Sequence, residues 1–121
     1  MMEVISIADK LKKISTHWEP KIIAELNGQH VKLAKLKGEF VWHSHEHEDE
    51  LFMVVSGILD IHFRDSIRTV TAGEIIVIPK GIDHKPVAVD EVSVLLFEPS
   101  TTINTGDSDD FNLRREDLDR I

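Results

Sequence analysis

Between residues 20 and 98 the chain is a series of short apolar segments separated by turn residues, and no other feature constrains the fold as strongly. The pair Asn27-Gly28 lies between two such segments and is typical of a two-residue hairpin turn. Apolar and polar residues alternate over residues 58–63, as in a strand with one buried face. Turns spaced about 8–12 residues apart, without long helical segments between them, indicate an antiparallel sandwich or barrel.

The other strands are predicted from apolar segments that end at turn residues. We expect Gly38 to end the second strand and Val89-Asp90-Glu91 to form the turn before the last one. The predicted strands cover residues 21–26, 30–36, 50–55, 58–63, 67–70, 74–78 and 92–98. The fold class predicted from these residues is all-β.

The first fifteen residues predict a short helix. Ile7, Leu11 and Ile14 recur at helical spacing. Ser6 followed by Asp9 resembles a capping box at the start of this helix. We expect the helix to pack on the outside of the domain.

A chain of 121 residues fits one domain. We divide it into an N-terminal helical arm (residues 1–18), a barrel (residues 19–99) and a C-terminal tail (residues 100–121). The tail is polar and acidic, and we expect it to cross the barrel surface or to cover an opening. The same composition also fits a frayed terminus, so both readings of the tail stay open.

The composition argues against several classes of function. Cysteine is absent, which excludes disulfides, thiolate metal sites and cysteine nucleophiles and fits a reducing compartment. The net charge of −8 argues against binding to nucleic acid. The N-terminus lacks the features of a secretory signal, and no segment approaches the roughly 18 apolar residues of a membrane span. We therefore expect a cytoplasmic protein that binds neither nucleic acid nor membranes.

The segment from His43 to Glu50 carries the strongest chemical signal. Residues two apart in a strand face the same side, so His43 and His45 can present both imidazoles to one point. Glu50 follows a polar turn and opens an otherwise apolar strand. A carboxylate in that position is costly unless it is paired or bound to a metal. His47 is an alternative ligand, because it also lies two residues from His45.

A second segment supplies a further histidine. Pro79 and Gly81 predict a turn, and His84 follows shortly after it. Imidazoles and a carboxylate together suit one divalent ion such as Zn, Mn, Fe, Ni or Co.

These two segments resemble the two signature motifs of the cupin superfamily. The first motif has a glycine, five residues, His-x-His, three or four residues, a glutamate, six residues and a glycine. His43, His45, Glu50 and Gly57 match it, whereas only four residues separate Gly38 from His43 instead of five. A ligand pair that used His47 would leave fewer residues before the glutamate than this motif has.

The second cupin motif has a glycine, five residues, Pro-x-Gly, two residues, a histidine, three residues and an asparagine. Gly73, Pro79, Gly81 and His84 match this spacing. Ala88 stands in place of the asparagine, so any polar role of that residue is missing. Neither departure removes a metal ligand.

The resemblance implies a double-stranded β-helix, the cupin jelly-roll barrel, over about residues 20–98. It implies one divalent metal inside the wider end of the barrel, on His43, His45, Glu50 and His84, and frequently a homodimer. The whole chain is similar to small single-domain bacterial cupins, which are often loosely labelled mannose-6-phosphate-isomerase-like. That label describes a barrel and not an activity.

One strand of the predicted barrel also indicates a homodimer. Phe52 is expected inside, near the metal, which places Leu51, Met53 and Val55 on the outer face. An apolar outer face on a central strand needs a cover. A second copy of the chain or the N-terminal helix would provide one.

Three functions fit a metal inside a small barrel. Four protein ligands on an octahedral ion leave two positions open, which favours an enzyme acting on a small oxygen-rich molecule. Its chemistry would be of the dioxygenase type or of the isomerase or epimerase type. The alternatives are a non-catalytic protein that binds or senses a small ligand, and a metal that only braces the barrel.

Few acid–base groups are predicted inside the barrel. His30, Lys32 and Lys35 are the candidates on the strand before the first motif, and His62 is expected on the exterior. No second glutamate is expected inside, and tyrosine is absent. This scarcity weakens the isomerase and epimerase hypotheses and favours a dioxygenase, which needs fewer such groups.

Overall fold

The all-β prediction is confirmed: the protein consists mostly of antiparallel strands, with one short helix. The structure, a computed structural model, describes residues 2–121, so Met1 of the predicted arm lies outside it. The elements are α1 (Ile7–Leu11), β1 (Lys21–Leu26), β2 (Gln29–Glu39), β3 (Glu50–Ser56), β4 (Ile58–Phe63), β5 (Ile67–Thr71), β6 (Ile75–Ile78) and β7 (His84–Pro99).

The strands form one sheet that curves into a barrel around strand β7. The sheet order is β1-β2-β7-β3-β6, and β4 pairs with both β5 and β7. Strand β7 therefore contacts three partners, with its first part beside β4 and its second part beside β3. This arrangement is the double-stranded β-helix that the cupin resemblance implied.

The turn predicted at Val89-Asp90-Glu91 is wrong, because strand β7 runs through these residues without a break. Leu36 pairs with Val92 and Gly38 pairs with Ala88, so three residues of β7 lie opposite one residue of β2. These residues form a bulge, which bends the strand without ending it. Strand β2 likewise continues through Gly38 to Glu39 instead of ending there.

The barrel interior is filled by residues that alternate along the strands. In β7, Val92, Val94 and Leu96 face inward, and Phe52 and Val54 do so in β3. The remaining members of this buried cluster are Ala34, Leu36, Leu59, Ile61, Val70, Ile78 and Ala88. The core fills one end of the barrel and leaves the other end for polar side chains.

Helix α1 is shorter than the sequence predicted. Ser6 caps it by accepting a hydrogen bond from the Asp9 backbone N–H at 3.2 Å, but the helix ends at Leu11. The residues that follow form a turn, and Ile14 is buried against the barrel. No helix in residues 2–121 is long and apolar enough to cross a membrane.

The C-terminal tail lies across the barrel and is not frayed. Asp107 accepts hydrogen bonds from the Ser44 backbone N–H at 2.7 Å and from the Ser44 hydroxyl at 3.2 Å. Near the end of the tail, Ile121 N–H donates to the Ile22 carbonyl of β1 at 3.1 Å. The tail thus connects the loop of the first histidines to the edge of the sheet.

Candidate metal centre

Backbone hydrogen bonds hold the two histidine segments together. His43 N–H donates to the His84 carbonyl at 3.0 Å, and His84 N–H donates to the His43 carbonyl at 2.9 Å. Gly81 N–H donates to the His45 carbonyl at 2.8 Å. The turn at Pro79 therefore aims His84 at the loop that carries His43 and His45, although the two histidine segments are far apart in sequence.

The structure brings the four predicted ligands together in the barrel. His43, His45, Glu50 and His84 are all buried, and one ligand atom of each lies within 4.8 Å of those of the others. Glu50 Oε1 is 3.5 Å from both His45 Nε2 and His84 Nε2. Glu50 occupies the start of β3, where the inward-facing row of that strand reaches the polar end of the barrel.

Two of the imidazoles are fixed in the tautomer that metal binding needs. His43 Nδ1 donates to the Val41 carbonyl at 2.9 Å, and His84 Nδ1 donates to the Ile82 carbonyl at 2.9 Å. A carbonyl oxygen only accepts, so each Nδ1 carries the hydrogen and each Nε2 keeps a free lone pair. Such outer hydrogen bonds orient metal-binding histidines in general.

Several ligand atoms of this group are buried without a partner. His45 Nε2, His84 Nε2 and Glu50 Oε1 have no hydrogen-bond partner in the protein. Buried polar atoms are normally satisfied, so a cluster of unsatisfied ones calls for an occupant. Nitrogen atoms with lone pairs around a carboxylate fit a divalent ion, and these side chains could hold one.

The pKa values of the group suit a cation. Burial, followed by the nearby His84, lowers the pKa of His43 to about 4, so the imidazole is neutral at pH 7. Burial alone would raise the pKa of Glu50, but the neighbouring Glu98, His45 and His84 side chains keep it well below its usual range. A neutral imidazole and an ionised carboxylate are the forms that bind metals.

The prediction that no second glutamate lies inside the barrel is wrong. Glu98 is buried at the end of β7, and Lys32 Nζ donates to its Oε1 at 2.8 Å. Burial, followed by the negative charge of Glu50, raises the pKa of Glu98 well above its usual range. The signal was present in the sequence, because Glu98 continues the inward-facing alternation of Val94 and Leu96.

The other candidate residues lie outside the group of four. The side chain of His47 is 79% exposed, and its imidazole lies beside Glu46, so it does not replace His45 or His43. Lys35 Nζ donates to the Ile14 carbonyl near α1 and does not face the site. His62 follows the buried Ile61 on β4, so it faces the other side of the sheet.

His30, one of the predicted interior groups, is buried at the polar end of the barrel. It pairs with Glu98 in the register between β2 and β7. Its Nε2 is 3.5 Å from Glu25 Oε2, and its Nδ1 has no hydrogen-bond partner in the protein. His30 therefore neighbours the site without belonging to the group of four.

A small cavity of about 40 Å³ adjoins two of the four predicted ligands, His43 and Glu50. His43, Glu50 and Glu98 supply its charged or ionisable wall, and Asn104 of the tail lies at its edge. The apolar wall includes Trp18, Ala34, Leu36, Phe40, Phe52 and Leu96. Because one water-sized group needs about 10–15 Å³, the cavity accepts a few such groups beside the ligands.

Comparison with known proteins agrees with this fold. A protein from Shewanella frigidimarina that contains a cupin-2 domain has a crystal structure with a TM-score of 0.79 to this chain. The two are 49% identical, over 79% of this chain and 94% of the other. A protein from Neisseria meningitidis is 33% identical, with a TM-score of 0.74, over 80% and 99% of the two chains.

A curated relative and a family model give the same result. The uncharacterized protein YdbB of Bacillus subtilis is 37% identical over 86 residues, which cover 70% of this chain and 74% of YdbB. The family model described as "Cupin domain" matches residues 29–98, more than half of the chain, and this range contains all four clustered side chains. The chain therefore belongs to the cupin domain family.

Proposed function

We propose that this protein binds one divalent metal ion through His43, His45, Glu50 and His84 and acts as a metal-dependent enzyme on a small oxygen-containing molecule. The observation that carries the proposal is the convergence of four buried ligand atoms, three of which have no partner in the protein. Zn, Mn, Fe, Ni and Co all suit this mixture of nitrogen and oxygen ligands.

The cavity beside the ligands supports a catalytic role. A bound divalent ion would supply Lewis acidity, or dioxygen chemistry if it is iron. Phe40, Phe52 and Trp18 give the adjoining cavity an apolar wall, which would orient a bound molecule towards the carboxyl groups of Glu50 and Glu98. Glu98 supplies an ionisable group inside the barrel, so isomerase and epimerase chemistry stands beside the dioxygenase hypothesis.

The small size of the cavity favours a second candidate function. Trp18 and Asn104 lie at the cavity, and its volume of about 40 Å³ admits only a few water-sized groups. A larger substrate would need these side chains to move. A non-catalytic protein that binds a very small ligand on the metal would use the cavity as it stands.

Metal binding is the first test of the proposed function. We expect the metal-free protein to take up one divalent ion per chain from Zn, Mn, Fe, Ni or Co. At a free concentration one hundred times Kd, binding would stabilise the fold by about 2.7 kcal/mol. For a domain of this size the thermal midpoint would rise by about 10 °C. Isothermal titration and thermal unfolding measure the two effects, and uptake far below one ion per chain contradicts the proposal.

The two candidate functions differ in turnover. The metal-loaded protein would be mixed with a panel of small hydroxy and keto compounds. An isomerase or epimerase exchanges carbon-bound hydrogen with D₂O, which NMR detects, and a dioxygenase consumes dissolved oxygen. Saturable binding of a compound without either signal, and without conversion, would favour the non-catalytic function.

A homodimer through the outer face of β3 and β6 is a further part of the proposal. On this face Leu51 lies between Val77 and Phe97. Ile75 lies beside Met53. Ile75 and Val77 are 59% and 53% exposed on an edge strand. An apolar edge of this kind pairs with another chain unless it is blocked. Helix α1 lies against β2 and leaves this face open.

The Val77→Lys variant is expected to be monomeric, because a charge in the centre of an apolar contact is costly to bury. The control is Val89→Lys, because Val89 is 80% exposed and lies on the β7 bulge instead. Sedimentation velocity would show a dimer for the wild type and for Val89→Lys and a monomer for Val77→Lys. A monomeric wild type, or a dimeric Val77→Lys protein, would refute this interface.

The composition supports a cytoplasmic location without contact to nucleic acid. Cysteine is absent, so the chain carries none of the disulfides typical of oxidising compartments, and the net charge is −8. An acidic protein repels the phosphate backbone.

A further inference from the structure

A second buried polar unit, separate from the four clustered ligands, lies across strands β2 and β7. Lys32 and Glu98 form an ion pair with 2.8 Å between Nζ and Oε1, and each side chain is only 2% exposed. Both project into the barrel, where the next inward-facing residues along the two strands are Ala34 and Leu96. This pair is the only ion pair in residues 2–121 in which neither side chain is more than 2% exposed.

Stability alone does not account for this pair. Removing a lysine and a glutamate from water costs several kcal/mol for each ion, and their attraction roughly offsets that cost. Apolar side chains of similar size often give equal or greater stability. The next inward-facing residues, Ala34 and Leu96, are apolar, so apolar packing could have continued to these two positions.

The pair lies directly beside one of the four ligands. Leu51 of β3 pairs with Phe97 of β7, which places Glu50 next to Glu98 on the inner face. Both side chains also line the same small cavity. Glu98 Oε1 accepts from Lys32, whereas Glu98 Oε2 is buried and has no donor in the protein.

We propose that Glu98, seated by Lys32, is a positioning residue that holds the Glu50 carboxyl group towards the three histidines and so sets the affinity of the site for a divalent ion. This inference rests on the proposed metal binding. Lys32 holds Glu98 Oε1 by a hydrogen bond. The other oxygen of that carboxyl group, Oε2, then limits the rotation of the Glu50 side chain. Loss of an outer contact of this kind typically lowers metal affinity about 10- to 100-fold.

The test separates the positioning of Glu50 from the stability of the barrel. The Lys32→Met/Glu98→Leu double variant replaces the ion pair by apolar side chains, so we expect its unfolding midpoint to stay near that of the wild type. Its affinity for Co²⁺ should fall about 10- to 100-fold. The visible absorption bands of bound Co²⁺ should also shift, since they report the arrangement of the ligands.

A conservative variant provides the rescue. In Glu98→Gln, the amide oxygen can still accept from Lys32 and the amide nitrogen can donate to Glu50. We expect wild-type Co²⁺ affinity and spectrum for this variant. If the double variant fails to fold, Glu98→Gln decides alone, and a tenfold or greater loss of affinity in it overturns the inference.

The matched control makes the same two exchanges in an outer ion pair of the same strands. Lys85 of β7 and Glu39 of β2 are 2.7 Å apart, and Glu39 is largely exposed. Lys85→Met/Glu39→Leu should bind Co²⁺ like the wild type. If the wild type binds Co²⁺ and the Lys32→Met/Glu98→Leu variant binds it equally well, positioning by Glu98 is refuted and metal binding stands. If the wild type binds no Co²⁺, both proposals fail.

Discussion

The His45→Ala variant is expected to lose stoichiometric metal while keeping its fold. His45 is one of the four clustered ligands, and its side chain lies in the loop before β3, outside the strand ladders. Structural zinc sites have binding free energies of about 10–16 kcal/mol, or roughly 3 kcal/mol for each of four ligands. Loss of one ligand should therefore weaken metal affinity about 100-fold. Elemental analysis of the purified protein measures the metal, and circular dichroism measures the fold. Glu50→Ala should lose metal in the same way.

The control for this prediction lies two residues further along the chain. His47 is an exposed histidine of the same loop and lies outside the group of four. His47→Ala should therefore retain one ion per chain. Full metal content in His45→Ala, or equal loss in both variants, would show that the four side chains are not the binding site.

The Gly57→Ala variant is expected to destabilise the barrel by about 3 kcal/mol. Gly57 has a φ of +91°, a backbone conformation that alanine adopts only with strain. An added Cβ would also lie 2.9 Å from the Glu91 carbonyl oxygen and 3.1 Å from Val92 Cα. Both atoms belong to the β7 backbone, so relief would require moving the central strand. Urea unfolding of the two proteins measures the difference in the free energy of unfolding.

Gly73 separates the two causes of this effect. It has a φ of +83°, but nothing lies within 4 Å of an added Cβ. Gly73→Ala should therefore cost only the backbone strain, about 1 kcal/mol. If both variants lose the same stability, close packing of Gly57 against β7 plays no part.

The sequence predicted the strands and the four clustered residues because both depend on short-range patterns. The turn at Asn27-Gly28 and the alternation over residues 58–63 each lie within a few neighbouring residues. The same holds for the two histidine motifs, whose internal spacing decides which side chains face the same way. In the folded protein, reciprocal backbone hydrogen bonds between His43 and His84 hold the two motifs together.

The β7 bulge could not be predicted in this way. Val89-Asp90-Glu91 has the composition of a turn. A turn and a bulge differ in whether one neighbouring strand pairs with the residues on both sides of the segment. The register between β2 and β7 shows the difference, because Leu36 and Gly38 pair with residues on either side of the bulge. A local sequence pattern does not show which distant strands pair with each other.

Glu98 was missed for a related reason. An acidic residue near the end of a strand is normally expected in solvent. Its burial depends on Lys32, which lies 66 residues earlier in the chain. Lys32 was itself considered as an interior group, but only the structure shows that these two alternating positions meet.

The central place of strand β7 also bears on how the protein is made. Strands β2, β3 and β4 leave the ribosome before the strand that joins them all. Each of these strands has one earlier partner, but the pairings that join them into one barrel require β7. Folding therefore depends on contacts between distant segments and should be slow. His84 opens this late strand, which means that the complete set of ligands exists only in a chain whose barrel is already closing. On the proposed metal binding, a chain still being synthesised should therefore hold the ion more weakly than the folded protein does.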